Sequence, residues 1–124
     1  MSEPLEAFRR ALGRLEEALS LEPSDVVRDA AIQRFEFTFE LAWKAIQSAA
    51  RFEGLDCRSP RSCLKLAFQQ EWIVDEATWL SVLTDRNRTS HTYDENLAKT
   101  IFEHLPRYTP LFEKLLASLD AIGD

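Results

Sequence analysis

The sequence predicts an all-α protein: an up-and-down helical bundle of four-helix type with a short accessory helix, forming a single domain over residues 1–124. Three observations carry that reading. Apolar residues recur at spacings of three and four along most of the chain, glycine occurs only three times, and no Asn-Gly or Asp-Gly pair is present to turn a β-hairpin. A chain of 124 residues buries roughly two-thirds of the surface its unfolded form exposes, so it needs no covalent staple to fold.

Leu5, Phe8, Leu12, Leu15, Ala18 and Leu19 place a first amphipathic helix over residues 3–20, with Pro4 suited to its first turn. Glu22-Pro23-Ser24-Asp25 breaks the pattern. From Ser24 to the stop at Gly54 there is neither proline nor glycine, which gives a helix on the order of 45 Å long as the spine of the fold. Phe35, Phe39, Ala42, Trp43, Ile46, Ala49 and Ala50 form one stripe on it, while Ile32, Phe37, Leu41 and Ala45 fall largely outside. A helix apolar on two sides must be covered on two sides, either by the bundle alone or by the bundle and a second subunit.

Ser59-Pro60 starts a short helix to about Gln70, carrying Leu64, Leu66, Ala67 and Phe68. Asp75 caps the next, Glu76 to roughly Asn87, with Trp79, Leu80, Val82 and Leu83 as its buried side. Thr92-Tyr93-Asp94-Glu95 has the form of a capping box. Beyond it, Leu97, Ile101, Leu105, Tyr108, Leu111, Phe112, Leu115, Leu119 and Ile122 keep one stripe in phase through Pro106 and Pro110. The expectation is one long kinked helix or two nearly collinear pieces.

Composition narrows the function classes. With 45% hydrophobic and 29% charged residues, the balance is that of a globular protein in water. No apolar run has the length of a membrane span or a signal core, so the expected location is cytoplasmic. Cys57 and Cys63, six apart, match no zinc spacing and are expected to be two free thiols. A net charge of −6 argues against a general nucleic-acid coat, whose affinity comes from neutralising phosphates. The sequence holds no Ser-His-Asp set, Gly-rich phosphate loop or metal-ligand cluster, and no cofactor or metal is expected.

One stretch concentrates unusual chemistry. Residues 85–95 read DRNRTSHTYDE and hold one of only two histidines. In an unbroken helix Arg86 and His91 stand about 140° apart, whereas Asn87 and Arg88 share the histidine's face. A break near Ser90 lets Arg86, Asn87, His91 and Tyr93 point into one groove beside the positive end of the last helix. A guanidinium fork, an imidazole, an amide and a phenol there suit a phosphorylated ligand, a nucleotide or RNA. The same residues also read as a solvated interhelical turn. Glu36, Glu40 and Lys44, spaced by four, read first as a salt-bridged helix face and second as a groove lining with Arg34. His104 falls in phase with Leu97, Ile101 and Tyr108 and is expected to be a packed or rim histidine.

RFEFTFELAWK in the spine helix, together with DRNRTSHTYDE, resembles the nucleotidyltransferase substrate-binding proteins of the HEPN superfamily. The two motifs and what lies between them cover most of the chain. The resemblance implies a helical bundle that forms a homodimer and pairs with a separately encoded minimal nucleotidyltransferase. In related HEPN ribonucleases an arginine, a few residues and a histidine face a cleft shared by two subunits. On that likeness Arg86 stabilises the phosphate and His91 acts as acid or base in attack by the ribose 2′-hydroxyl, without metal. Asn87 matches the polar residue that follows the arginine, with Arg88 beside it as a ligand contact. Tyr93 matches the tyrosine that the partner enzyme adenylylates in toxin–antitoxin pairs.

Three functions follow. The first is a nucleotide- or substrate-binding subunit of a minimal nucleotidyltransferase, the toxin-like half of a pair. The second is a metal-independent ribonuclease toxin, and the third a non-catalytic helical interaction module.

Overall fold

Three local devices start helices where the sequence places them. The Ser24 hydroxyl accepts from the Val27 amide at 3.1 Å, and Asp75 accepts from the Thr78 amide at 3.1 Å. Ser59 accepts from the Ser62 amide at 3.1 Å while the Ser62 hydroxyl accepts from the Ser59 amide at 3.0 Å, a reciprocal box followed by Pro60. Gly54, at φ +77°, ends the spine helix. Its amide and that of Leu55 donate back to Arg51 and Ala50 at 3.0 and 2.7 Å, a turn that only glycine makes without strain.

The computed structural model describes residues 2–122, and of Ser2 the helical backbone alone. The order is α1 (Ser2–Leu19), α2 (Asp25–Phe52), α3 (Pro60–Gln69), α4 (Glu76–Arg88), a 3₁₀ turn (Thr89–His91) and α5 (Glu95–Ile122). Among the described residues no strand occurs and no helix is long and apolar enough to cross a membrane.

The long helices α1, α2 and α5 pack on one another, with α3 and α4 laid against them. Phe112 of α5 is the hub of the aromatic core. Its ring meets Phe8 of α1 edge-on at 6.0 Å, Phe35 of α2 at 6.4 Å and Trp79 of α4 edge-on at 5.4 Å. Phe35 also stacks on Tyr108 at 5.9 Å. Pro106 and Pro110 both lie inside α5. Each is exposed, so the missing amide of each faces water while Leu105, Tyr108, Phe112 and Leu115 keep the buried stripe.

Three expectations change. Cys57 and Cys63 are bonded to each other rather than free: the α2–α3 loop and the first turn of α3 bring their Cα atoms to 5.1 Å, within disulfide reach, and both are buried. Thr92 does not cap α5. Its hydroxyl donates back to the Thr89 carbonyl at 3.1 Å, and Asp94 takes the cap by accepting from the Asn96 and Leu97 amides at 3.0 and 3.3 Å. Leu80 faces outward from α4 instead of lining its buried side. On α2, the bundle itself covers Ile32 and Ala45, but Phe37 stays 54% exposed and Leu41 half-buried.

Phe112 joins three other helices through one ring. Phe112→Ala is expected to lower the unfolding free energy by about 3–5 kcal/mol, measured by urea denaturation; a loss below about 1 kcal/mol would mean that the core closes without it.

Candidate functional site

The unusual stretch sits where α4 ends and α5 begins, beside the middle of α2. Arg86, in the last turn of α4, reaches α2: its Nη2 donates to Glu40 Oε2 at 3.1 Å, and the guanidinium lies 5.6 Å from the centre of the Phe39 ring. Its Nη1 donates to the Asn87 side-chain oxygen at 3.3 Å. Glu40 in turn accepts from Trp43 Nε1 at 3.0 Å and pairs with Lys44 at 3.4 Å. Partial burial pushes the Glu40 carboxyl up, but the Trp43 hydrogen bond and the Lys44 and Arg86 charges outweigh it and hold it below the ordinary glutamate value. The carboxylate is therefore ionised at neutral pH. With the folded value depressed, its contribution is present above the ordinary carboxylate range and is lost as pH falls through the folded value.

The turn after Arg88 is tied down by threonines. Buried Thr89 donates to the Arg86 carbonyl at 2.7 Å, and Thr92 repeats the pattern on Thr89. Arg28 of α2 braces the start of α5 through Glu95 at 3.8 Å and also pairs with Asp25 at 3.3 Å. The result presents His91 and Tyr93 outward as a pair, with Nδ1 and the phenol oxygen 3.3 Å apart and the rings nearly perpendicular. Tyr93 is 85% exposed.

The structure thus joins Arg86 to Asn87 and His91 to Tyr93. Among the described residues no hydrogen bond joins one pair to the other. Arg88 points elsewhere, into a groove of about 280 Å³ between α4 and α5 that His104, Arg107, Asp85 and Tyr108 also line. Asp85 is 3% exposed, and its Oδ2 accepts from the Tyr108 hydroxyl at 2.5 Å and contacts His104 Nδ1 at 2.7 Å. Burial, then the Asp85 hydrogen bond and charge, push the Tyr108 phenol well above its ordinary value despite the Arg107 charge, so it stays protonated and donates.

His104 is the rim histidine expected, with a partner that was not. Asp85 lies three residues past Val82, on the buried stripe of α4, and that phase was the available sign that it is enclosed. Glu36 is half-buried, Glu40 and Lys44 form the expected pair, and Arg34 turns to α1, where it meets the Arg14 carbonyl at 2.8 Å and Glu17 at 3.5 Å. The pairing of Glu40 with Arg86 had no sign in the sequence. No group of three or more metal-ligating side chains occurs among the described residues.

Known proteins share this architecture. A crystal structure of a Thermus thermophilus protein is 46% identical with a TM-score of 0.84, over 90% of this chain and 98% of that one. A Haemophilus influenzae structure, reported as revealing the fold of a substrate binding domain of a nucleotidyltransferase, is 25% identical with a TM-score of 0.83, over 94% of this chain and 98% of that one. A third similarity is to the Haemophilus influenzae protein named "Probable ribonuclease HepT", 30% identical over an alignment of 86 residues that covers 65% of this chain and 59% of that relative's length. The family model for "Nucleotidyltransferase substrate binding protein like" matches residues 3–121, and the chain belongs to that family.

Proposed function

We propose that this chain is a nucleotide- or substrate-binding subunit that works with a separately encoded minimal nucleotidyltransferase, as the toxin-like half of a pair. Two copies would face their Arg86–His91 turns across one cleft. The observation that carries the reading is the turn itself: a guanidinium braced by Glu40 on α2, next to an exposed His91–Tyr93 pair. A braced guanidinium is positioned before ligand arrives, so less ordering accompanies binding of a phosphate. Tyr93 stands far enough into solvent for a second enzyme to reach its hydroxyl. An adenylyl group there would set a phosphodiester charge beside His91 and obstruct the turn.

A metal-independent ribonuclease is the second reading, favoured by the similarity to the protein named "Probable ribonuclease HepT". In it, His91 takes the proton of a ribose 2′-hydroxyl as that oxygen attacks the adjacent phosphorus. Arg86 holds the developing charge, and the 5′-oxygen leaves with a proton from the second copy's imidazole. One chain places a single histidine in this turn, so separate acid and base imidazoles need two copies.

RNA incubated with the protein in chelator tests the second reading. Cleavage is expected to fall by about 100-fold or more in Arg86→Ala and His91→Ala, with helical circular dichroism unchanged; cleavage at the wild-type rate in both variants would remove these residues from the reaction. Co-expression with a minimal nucleotidyltransferase tests the first. Intact-mass spectrometry is expected to show adenylyl additions that Tyr93→Phe eliminates and His91→Ala does not, and additions persisting in Tyr93→Phe would place the modification elsewhere.

A further inference from the structure

The groove between α4 and the middle of α5 has no part in the turn's chemistry as described above, yet it gathers the features of an anion site. Arg88 lines it from the last turn of α4, and Arg107 and His104 line it from α5. Among the described residues neither arginine forms an ion pair. The one acid in the groove is already engaged: the Asp85 side chain is 4% exposed, and Tyr108 and His104 both meet its Oδ2. An imidazole that gives Nδ1–H to a buried carboxylate is fixed in its plane and keeps Nε2 for an outside partner. His104 is arranged that way, with 30% of its side chain exposed.

We propose that this groove is a second anion site that takes the phosphate group of a nucleotide or of a polynucleotide strand. Two guanidiniums with no ion pair among the described residues supply forked donors to phosphate oxygens. In its doubly protonated form, with Nδ1–H given to Asp85, His104 also has Nε2–H to donate to a third phosphate oxygen. Leu80, exposed on the groove's wall, gives an apolar surface for the sugar or base attached to the phosphate, which a bare ion would not use. Arg88 lies two residues from Arg86 on another side of α4, so a strand long enough to pass around the end of α4 would set one phosphate at the turn and another in this groove. The strand form of the proposal rests on the reading of the turn; phosphate binding in the groove does not.

The two histidines make the test direct, because each gives its own imidazole signals in a proton–carbon NMR spectrum, assigned with His91→Gln and His104→Gln. Wild-type protein is titrated at constant ionic strength with inorganic phosphate, adenosine monophosphate and a short single-stranded RNA. The His104 signals are expected to move saturably with all three, and Arg107→Ala to weaken that response by about tenfold, the scale of one charge-assisted contact. Arg51→Ala, at the far end of α2, is expected to leave it unchanged. Tighter binding of RNA than of the mononucleotide identifies a strand as the ligand; equal binding identifies a single nucleotide phosphate. His104 signals that ignore all three probes, or that respond equally in Arg107→Ala, overturn the proposal. A His104 response with none at His91 leaves the groove standing and counts against the turn; the reverse overturns the groove alone.

Discussion

A carboxylate withdrawn from water must have its lone pairs taken, and the end of α4 is arranged around one that does. Asp85 finds both of its donors, Tyr108 and His104, on α5. That pins the last turn of α4 to one neighbour. Successive residues on a helix point about 100° apart, so with Asp85 committed to α5, Arg86 is turned to α2, where Glu40 and Phe39 receive it. Arg88, two residues further, returns to the α5 side and enters the groove. Asp85 and Arg86, neighbours in sequence, thus clamp the start of the Arg86–His91 turn between two helices before the chain bends.

The clamp works because the bundle beneath it is stiff. α5 carries both its donors and Phe112, the ring that α1, α2 and α4 share. Its two prolines face water, so the helix that holds Asp85 runs unbroken past it. By contrast the side chains of His91 and Tyr93 point outward from the threonine-tied turn and make their one described side-chain hydrogen bond with each other. A rigid arginine with an exposed imidazole and phenol is suited to a site completed by something outside the chain, a ligand or a second copy.

Much of this was legible in the sequence because it is local. The apolar period placed all five helices, and Ser59 and Asp75 start the helices they were read as starting. The phase of Leu105, Tyr108 and Phe112 carried α5 correctly through its prolines. Where two local signals competed, the sequence did not decide: Thr92 fits a capping box, yet Asp94 is one residue from the helix and its carboxylate reaches two amides. Contacts across the chain left no trace. Glu40 and Arg86 are 46 residues apart, and the Cys57–Cys63 bond depends on how the α2–α3 loop is laid, not on a spacing. The family resemblance named Arg86, Asn87, His91 and Tyr93; it said nothing of the Asp85 anchor, whose burial depends on α5 closing over it.

The Asp85 carboxylate, on this view, sets the turn. Asp85→Asn keeps the shape and removes the charge, so hydrogen exchange by mass spectrometry separates anchoring from general stability. Faster exchange is predicted in the segment from Arg86 to Asp94, with the α1–α2 core protected as in the wild type. Unchanged exchange across that segment would contradict it.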